Sequence, residues 1–460
     1  MGMQNSTIAA ISTAQAPGGI GVIRISGKDA QMVADRVFVN PQGKKLKDLL
    51  GYTALYGHIH ILENAEDLLD EAIALNFIAP HSFTGENVVE ISCHGGLYLL
   101  HRVLEEVYKA GAAPAQPGEF TKRAFLNGKL GLTEAESVMQ MISAQGSQAA
   151  RAAMASHEGA LEKRIQKIRD SLVHTAAHLS AWADYPEEDI PQVSEESLKT
   201  SLNEAKDEIH GLLAQFEAGR AIREGVDTVI AGRPNVGKST LMNLLAGCER
   251  SIVTQYAGTT RDVVEETVRL GDVLLHLADT AGIRLTDDPV ESIGVTRAKD
   301  RMAAAQLVLA VFDSSQELNE EDYDLMEGIR EVPCVAVINK SDLENKINIE
   351  YISSKFQHIV YISAVTGDGL EALKTAVAEV LQTSSLNPAE GMLFTERQKD
   401  AARRAGDCVE EALAAVAAGV TLDAVTVSIE GAVSCLLELT GERATVAVVD
   451  SVFSQFCVGK

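Results

Sequence analysis

The chain has few basic residues and no closely spaced cysteines. Lys and Arg number 40 against 65 Asp and Glu, so the formal net charge of the 460 residues is −25. A chain this acidic repels phosphate backbones, so any contact with nucleic acid must come from a local basic patch. The six cysteines lie far apart, and none belongs to a CxxC pair. This spacing argues against a disulfide framework or a zinc site and indicates the reducing cytosol.

Long apolar runs are also lacking. No segment approaches the roughly 18 apolar residues that a membrane helix needs, so no membrane association is expected. Hydrophobic residues make up 46% and charged residues 23%, which is ordinary for a globular protein. The length predicts about three domains.

The predicted secondary-structure pattern changes three times along the chain. Short β-type runs alternate with helical stretches up to about Tyr108, and helical patterns then continue to Asp184 and from Glu195 to Gly219. Strands and helices alternate again from Gly225 to about Leu381, which is typical of a parallel sheet, and the rest is helical. This order predicts a multidomain α/β protein, in which an α+β domain precedes a discontinuous α-helical domain with an inserted α/β domain. The predicted boundaries are 1–122, 123–219, 220–382 and 383–460.

A phosphate-binding loop is predicted at residues 232–240, which read Gly-Arg-Pro-Asn-Val-Gly-Lys-Ser-Thr between a strand and a helix. Backbone N–H groups of such a loop face phosphate oxygens, Lys238 can reach the β and γ phosphates, and Ser239 can ligate Mg²⁺. The loop residues predicted to bind nucleotide are Asn235, Val236, Gly237, Lys238, Ser239 and Thr240.

Further elements follow at the carboxyl ends of later strands. A carboxylate at Asp279 can join the Mg²⁺ shell, Thr260 can complete it, and Asp342 can accept two hydrogen bonds from guanine but not from adenine. The Ser363-Ala364 segment can supply a backbone N–H to the guanine oxygen. Four such elements in this order predict a GTPase. The nucleotide contacts expected beyond the loop are Thr254, Gln255, Tyr256, Ala257, Gly258, Thr259, Thr260, Asp279, Thr280, Ala281, Gly282, Asn339, Lys340, Asp342, Ser363 and Ala364.

The residue after the Asp-Thr-Ala-Gly element is Ile283, which cannot orient a water molecule. Ras-like GTPases carry a glutamine there. Asp287, Asp288 and Glu291 follow in the next segment, and one of these carboxylates could hold the attacking water. On charge alone, a solvated acidic loop is the simpler interpretation.

Four strings outside the GTPase segment resemble one family along the whole chain. They are APGGIGVIRISG at 16–27, SFTGENVVEISCHGG at 82–96, PGEFTKRAFLNGK at 117–129 and FCVGK at 456–460. The chain resembles the MnmE (TrmE) family of tRNA-modification GTPases. The resemblance implies an N-terminal domain that binds tetrahydrofolate and dimerises, and an inserted Ras-like P-loop domain.

The resemblance also implies the reaction and its partners. With the flavoprotein MnmG, as a heterotetramer, the family adds an aminomethyl or carboxymethylaminomethyl group to C5 of the wobble uridine of certain tRNAs. A 5-formyl- or methylene-tetrahydrofolate supplies the carbon, and glycine or ammonium supplies the amine. The folate contacts carried over to this chain are Arg24, Glu90, Lys129 and Lys460.

Other family roles map onto single residues. Glu291 matches the family carboxylate that orients the attacking water. The resemblance therefore favours a catalytic role for Glu291 over a merely solvated acidic loop. The potassium ligands carried over are Asn235, Thr254, Tyr256 and Thr259. Cys457 lies in the C-terminal signature and either packs or takes part in the chemistry on the tRNA base. In contrast, Cys93 and His94 are adjacent in a strand and point to opposite faces, so we expect Cys93 to pack.

The sequence leaves alternatives for the tRNA-binding surface and for the function. The best basic patch for tRNA is the helical face at residues 163–169, although such a run is usually a solvated helix surface. The function itself has two alternatives: a regulatory or ribosome-assembly GTPase switch, which has no need of the folate strings, and a stand-alone folate one-carbon transferase, which has no need of the GTP site.

Overall fold

The computed structural model describes residues 6–184, 194–248, 266–278, 302, 304–329 and 332–460. The chain folds into two compact units. One comprises the described residues up to Met139 together with Leu436–Lys460, and the other comprises those of Gln140–Cys435. Within the described ranges, no helix is both long enough and apolar enough to cross a membrane.

The first unit is built on a seven-stranded sheet. Its strands are β1 (Ile8–Ile11), β2 (Ile20–Ser26), β3 (Phe38–Val39), β4 (Thr53–Ile61), β5 (Asn64–Phe77), β6 (Val88–His94) and β7 (Ala113–Pro114). Their spatial order is β3-β4-β5-β6-β2-β1-β7. Neighbouring strands are antiparallel except β1 and β7, which are parallel.

Helices pack on this sheet through an alternating strand pattern. In β2, Ile23 and Ile25 are fully buried while Arg24 between them points to the opposite face, as a period of two requires. The helices of this unit are Ala30–Val37, Leu97–Lys109, Glu119–Leu126 and Val446–Ser454, and Leu132–Ser143 begins in it. The first two pair their apolar faces with the sheet to form its main core.

The second unit contains a six-stranded sheet. Its strands are β8 (Val226–Ala231), β9 (Glu266–Leu270), β10 (Val273–Ala278), β11 (Leu307–Asp313), β12 (Cys334–Asn339) and β13 (Ile359–Tyr361). The order is β13-β12-β11-β8-β10-β9, parallel throughout except for the β9–β10 hairpin. Every residue of β11 is buried, which explains its unbroken apolar run, since a central parallel strand is covered on both faces.

The helices of the second unit are Ser147–His157, Ala160–Asp184, Glu195–Glu224, Lys238–Cys248, Glu320–Gly328, Ile349–Ser353, Leu370–Val380 and Glu396–Ala417, and Leu422–Thr440 begins in it. Short 3-10 helices of the chain lie at Leu46–Asp48, Thr383–Ser385 and Pro388–Glu390.

The mixed α/β fold with an inserted parallel sheet agrees with the prediction. The strand at Glu266–Leu270 was not predicted, and the helix that begins at Glu195 ends at Glu224 rather than at Gly219. Gly219 lies inside the helix, and a Cβ there would come 2.6 Å from Cε of Met392, so a larger residue would have to displace the end of the Met392 side chain. The expected boundary between residues 219 and 220 therefore falls within a continuous helix.

Candidate functional site

The phosphate-binding loop lies between β8 and the helix Lys238–Cys248, as the sequence predicts. Gly237 has a φ of 100°, and a Cβ there would come 2.2 Å from Nδ2 of Asn339, so only glycine fits. Asn235 also takes a left-handed conformation, with a φ of 65°. These two left-handed residues let the chain turn sharply just before the helix, whose N-terminus is a favourable place for an anion.

Lys238 closes this loop on itself. Its Nζ donates to the carbonyl oxygens of Gly232 at 2.6 Å and of Arg233 at 2.8 Å. The ammonium is therefore held over the loop, where it can meet phosphate oxygens. Ser239 and Thr240, which follow it in the first turn of the helix, are exposed, so the hydroxyl of Ser239 is accessible to a magnesium ion.

Arg233 ties the loop to the helix Glu320–Gly328. Its Nε lies 3.2 Å from Oδ2 of Asp322, and the Asp322 side chain is only 2% exposed. Oδ2 of Asp322 also accepts from the Asn319 N–H, which completes a capping box at the start of that helix. Burial raises the pKa of Asp322 despite the nearby guanidinium. The sequence did not single out this pair, because nothing local links two residues so far apart.

Asn339 connects the phosphate loop with the segment after β13. Its Nδ2 donates to the Val236 carbonyl at 2.8 Å, and its Oδ1 accepts from the Ala364 N–H at 3.0 Å. The side chain is almost completely buried. The Ala364 N–H, which belongs to the segment predicted to bind the guanine oxygen, thus donates to Asn339 in this structure.

Lys340 carries a second link to the loop. Its Nζ donates to the Asn235 carbonyl at 2.9 Å and to Oδ2 of Asp313 at 2.5 Å. Burial alone would raise the pKa of Asp313, but the hydrogen bonds from Lys340 and Ser315 lower it below its ordinary value. Asp313 was not among the predicted site residues, although a polar residue directly after a buried strand run is the signal that would have found it.

Asp342 and Ser363, the remaining predicted guanine contacts, lie on adjacent segments. The Ser341 N–H donates to the Ile362 carbonyl at 3.1 Å, which joins the segments on which they lie. Asp342 is exposed, so its carboxylate is free to accept hydrogen bonds from a base. The structure therefore brings the loop, the Asn-Lys-Ser-Asp segment and the Ser-Ala segment together at one edge of the sheet.

Several predicted site residues lie outside the described part of the chain. They are Thr254, Gln255, Tyr256, Ala257, Gly258, Thr259, Thr260, Asp279, Thr280, Ala281, Gly282 and Glu291, together with Ile283, Asp287 and Asp288.

In the first unit, Arg24 and Glu90 form an ion pair across β2 and β6. Nε and Nη2 of Arg24 each lie 2.8 Å from Oε1 of Glu90. The guanidinium also lies over the rings of Phe83, at 5.5 Å, and Phe120, at 5.6 Å. Arg24 and Glu90 therefore form an ion pair of the kind that stabilises a sheet. The two aromatic rings beside the pair could also stack against a planar ligand.

The C-terminal residues lie against the same unit. The Phe120 N–H donates to the Lys460 carbonyl at 3.1 Å, and Ser12 Oγ donates to the Gly459 carbonyl at 3.1 Å. Gly459 has a φ of 97°, and a Cβ there would come 2.2 Å from the carbonyl oxygen of Ile11. Burial, and after it the charge of Arg24, lowers the pKa of Lys460, so this lysine lies near the Arg24–Glu90 pair.

Lys129, the fourth predicted folate contact, is exposed. Its Nζ donates to the carbonyl of Pro80 at 3.1 Å, on the loop that also carries Phe83. Asn127 also binds this loop, since its Nδ2 donates a hydrogen bond to the Thr84 carbonyl at 2.7 Å.

The predicted opposite orientation of Cys93 and His94 is confirmed. Cys93 is 4% exposed and packs in the core, and burial raises the pKa of its thiol to about 11. His94 is exposed, and the hydrogen bond of its Nδ1 to Asp70 Oδ1, 2.7 Å long, raises its pKa. Cys457, by contrast, is exposed.

The basic face at residues 163–169 is largely neutralised. Arg164 and Lys167 each lie 3.5 Å from carboxylate oxygens of Glu208 on the next helix, and Arg169 pairs with Asp170 at 2.9 Å. This arrangement favours the solvated-helix interpretation over a tRNA surface.

A phosphate loop between a parallel strand and a helix, with Asn-Lys-x-Asp and Ser-Ala segments at the ends of neighbouring strands, defines a P-loop GTPase. Residues 132–457 match the family model described as "MnmE helical domain", and residues 7–129 match "GTP-binding protein TrmE N-terminus". The chain belongs to the MnmE (TrmE) family of tRNA modification GTPases, and it is a GTP hydrolase.

Curated relatives match over the full length. The tRNA modification GTPase MnmE of Symbiobacterium thermophilum is 42% identical, covering 100% of both chains. The proteins of the same name from Clostridioides difficile and Alkaliphilus metalliredigens are 39% and 40% identical, each covering 99% of both chains. Among solved structures, the G domain of the T. maritima FeoB iron transporter is 29% identical and covers 34% of this chain and 98% of its own, with a TM-score of 0.26.

Proposed function

We propose that this chain hydrolyses GTP and, with the flavoprotein MnmG, adds an aminomethyl or carboxymethylaminomethyl group to C5 of the wobble uridine of certain tRNAs. The observation that carries this proposal is the full-length match to relatives named tRNA modification GTPase MnmE. The protein acts in the cytoplasm, in line with its widely spaced cysteines.

GTP is held by the edge of the sheet that carries the phosphate loop. Asp342 accepts from the guanine N1–H and amino group, and the Ser363-Ala364 segment faces the guanine oxygen. The phosphates lie on the loop N–H groups, with Lys238 as their cation. Magnesium fits this donor set, with Ser239 and Thr260 as hydroxyl ligands, and it would neutralise phosphate charge when bound.

Potassium and Glu291 supply what a Ras-like glutamine and an arginine finger supply elsewhere. Asn235, Thr254, Tyr256 and Thr259 would hold the ion, which would supply positive charge to the phosphates when bound, and Glu291 would orient the attacking water. The left-handed Asn235 at the rim of the loop supports the first of these ligands, because its side chain is exposed there. The G domains of two copies associate in this state.

Hydrolysis rates in potassium and in sodium test this part. We expect turnover to be faster in potassium than in sodium. An arginine finger contributes about 10³- to 10⁵-fold in rate, and this range is the upper limit that we expect for the ion. Glu291→Ala should abolish the potassium-stimulated rate with nearly unchanged GTP affinity, since the group acts only in the transition state. Glu371→Ala, at an exposed glutamate of a G-domain helix, is the matched control. Equal rates in the two salts would contradict the assignment.

A reduced folate, in 5-formyl or methylene form, binds in the first unit at Arg24, Glu90, Lys129 and Lys460. Cationic side chains suit the carboxylates of the glutamate tail, and a carboxylate suits the N–H donors of a pterin. Three observations support the fit: Arg24 and Glu90 remain partly accessible, with 16% and 26% of their side chains exposed, aromatic rings flank the pair, and Lys460 at the chain end lies close to Arg24. The exposed Cys457 lies beside this site and could contact the tRNA base.

Titration with 5-formyl-tetrahydrofolate tests the folate site. Arg24→Ala and deletion of Lys460 should each weaken binding, because each removes a cation, while GTP hydrolysis stays near normal. Lys28→Ala, which removes an exposed lysine of the same unit, is the control. Unaltered folate affinity in both variants would remove these residues from the site.

Homodimerisation has a supporting surface in the first unit. Tyr56, on β4, pairs in register with Ile73, on β5, and both side chains are about half exposed, as is Leu68. An apolar sheet face of this kind is suited to a second copy of the chain.

A further inference from the structure

A loop of the first unit carries three unpaired cations in a chain with a net charge of −25. Lys44, Lys45 and Lys47 are all exposed, and none of them forms an ion pair with any residue that the structure describes. The neighbouring Asp48 is exposed as well, so the short segment keeps a surplus of positive charge.

The backbone of this loop is fixed at its centre. Leu46 is fully buried, and its N–H donates to Oδ1 of Asp35 at 2.7 Å. The Lys47 N–H donates to Oδ2 of the same carboxylate at 3.3 Å. Since both Asp35 oxygens accept backbone N–H groups, this carboxylate orders the loop rather than pairing with a lysine side chain.

Two asparagines also hold the backbone of the loop. Oδ1 of Asn40 accepts from the N–H groups of Gln42 at 2.9 Å and Lys44 at 3.3 Å, and its Nδ2 donates to the Tyr56 carbonyl. Asn76, which is fully buried, donates through Nδ2 to the Leu46 carbonyl at 3.3 Å. The lysines are therefore presented from an ordered backbone, which lowers the entropy lost when a ligand binds.

The other basic run of the chain behaves in the opposite way. At residues 163–169, Glu208 and Asp170 already neutralise three of the cations. An RNA approaching an acidic protein gains only where cations are accessible and unpaired, because binding depends on displacing counterions from phosphates.

We infer that the loop 40–48 binds the phosphate backbone of tRNA through Lys44, Lys45 and Lys47. The inference rests on the proposed function, since it names a surface for the tRNA substrate. Three exposed lysines within four residues can each contact a phosphate and read no base sequence, so the loop serves to position the RNA.

The test measures binding of unmodified tRNA transcripts with a wobble uridine to the full chain over a range of salt concentrations. The triple variant Lys44→Ala, Lys45→Ala and Lys47→Ala should bind at least about tenfold more weakly at low salt. The slope of log affinity against log salt should shrink by about 2 to 3, which corresponds to three lost phosphate contacts. Replacing the same three lysines by arginine should preserve binding.

The control variant, Arg164→Ala, Lys167→Ala and Arg169→Ala, loses the same number of charges, all of them already paired, and should bind tRNA like the wild type. Circular dichroism and thermal unfolding of the alanine variant of the loop, compared with the wild type, report whether the first unit is folded. Wild-type affinity in that variant, or equal losses in both triple variants, would overturn the inference while leaving the proposed function intact. A wild-type chain that binds no tRNA, even with MnmG, would overturn both.

Discussion

Replacement of Asn339 by alanine should uncouple the phosphate loop from the guanine-binding segments. The buried Asn339 amide is the group that joins the Val236 carbonyl to the Ala364 N–H. Without it, two buried backbone groups lose their partner, at a cost of about 1–3 kcal/mol each. If about 2 kcal/mol of that total falls on the nucleotide-binding conformation, affinity drops about thirtyfold.

The loss should be equal for GTP and GDP, because the hydrogen bonds of Asn339 lie at the loop and not at the γ phosphate. Titration with fluorescent GTP and GDP analogues measures it, and thermal unfolding shows whether the unit stays folded. Asn345→Ala is the matched control, since Asn345 is exposed and caps only the local Ile347 N–H. Affinities within about threefold of wild type for Asn339→Ala would show that the Asn339 amide does not support nucleotide binding.

Three further outcomes are expected. Asp342→Asn should lower the preference for GTP and admit xanthosine nucleotides, because an amide offers a donor where guanine needs an acceptor; competition between the nucleotides measures this. A thiol reagent at mildly alkaline pH should label exposed Cys457 quickly and leave buried Cys93, with its pKa of about 11, unlabelled, as mass spectrometry of peptides would show. The pKa of Asp313 is lowered from 3.8, so its ionised form stabilises the fold above pH 3.8, and this contribution is lost as the pH falls through the lower folded-state pKa. Acid unfolding of Asp313→Asn should lack this component, and an unchanged acid transition would contradict the role of its contact with Lys340.

Local patterns predicted much of the architecture. The strands β8 and β11 are apolar runs bounded by turn residues, and the phosphate loop has a fixed spacing, so both follow from the sequence alone. The helix after Ser194 extends further than expected, because glycine inside a helix looks the same in sequence as glycine at a helix end.

Long-range pairing was the part that the sequence could not provide. The contact of Lys340 with Asp313 depends on neighbouring parallel strands, and the pairing of Arg164 with Glu208 depends on how two helices pack. For the same reason, the charge of a basic run does not tell whether it is accessible: the run at 163–169 is neutralised, whereas Lys44 is left unpaired.

We propose that this GTPase modifies the wobble uridine of tRNA. Mass analysis of wobble nucleosides from cells lacking the chain tests it most directly, with the wild-type gene and Lys238→Ala supplied back in parallel. We predict that the C5 modification disappears in cells lacking the chain, returns with the wild type and stays absent with Lys238→Ala. Unchanged wobble uridines in cells lacking the chain would show that this GTPase does not modify them.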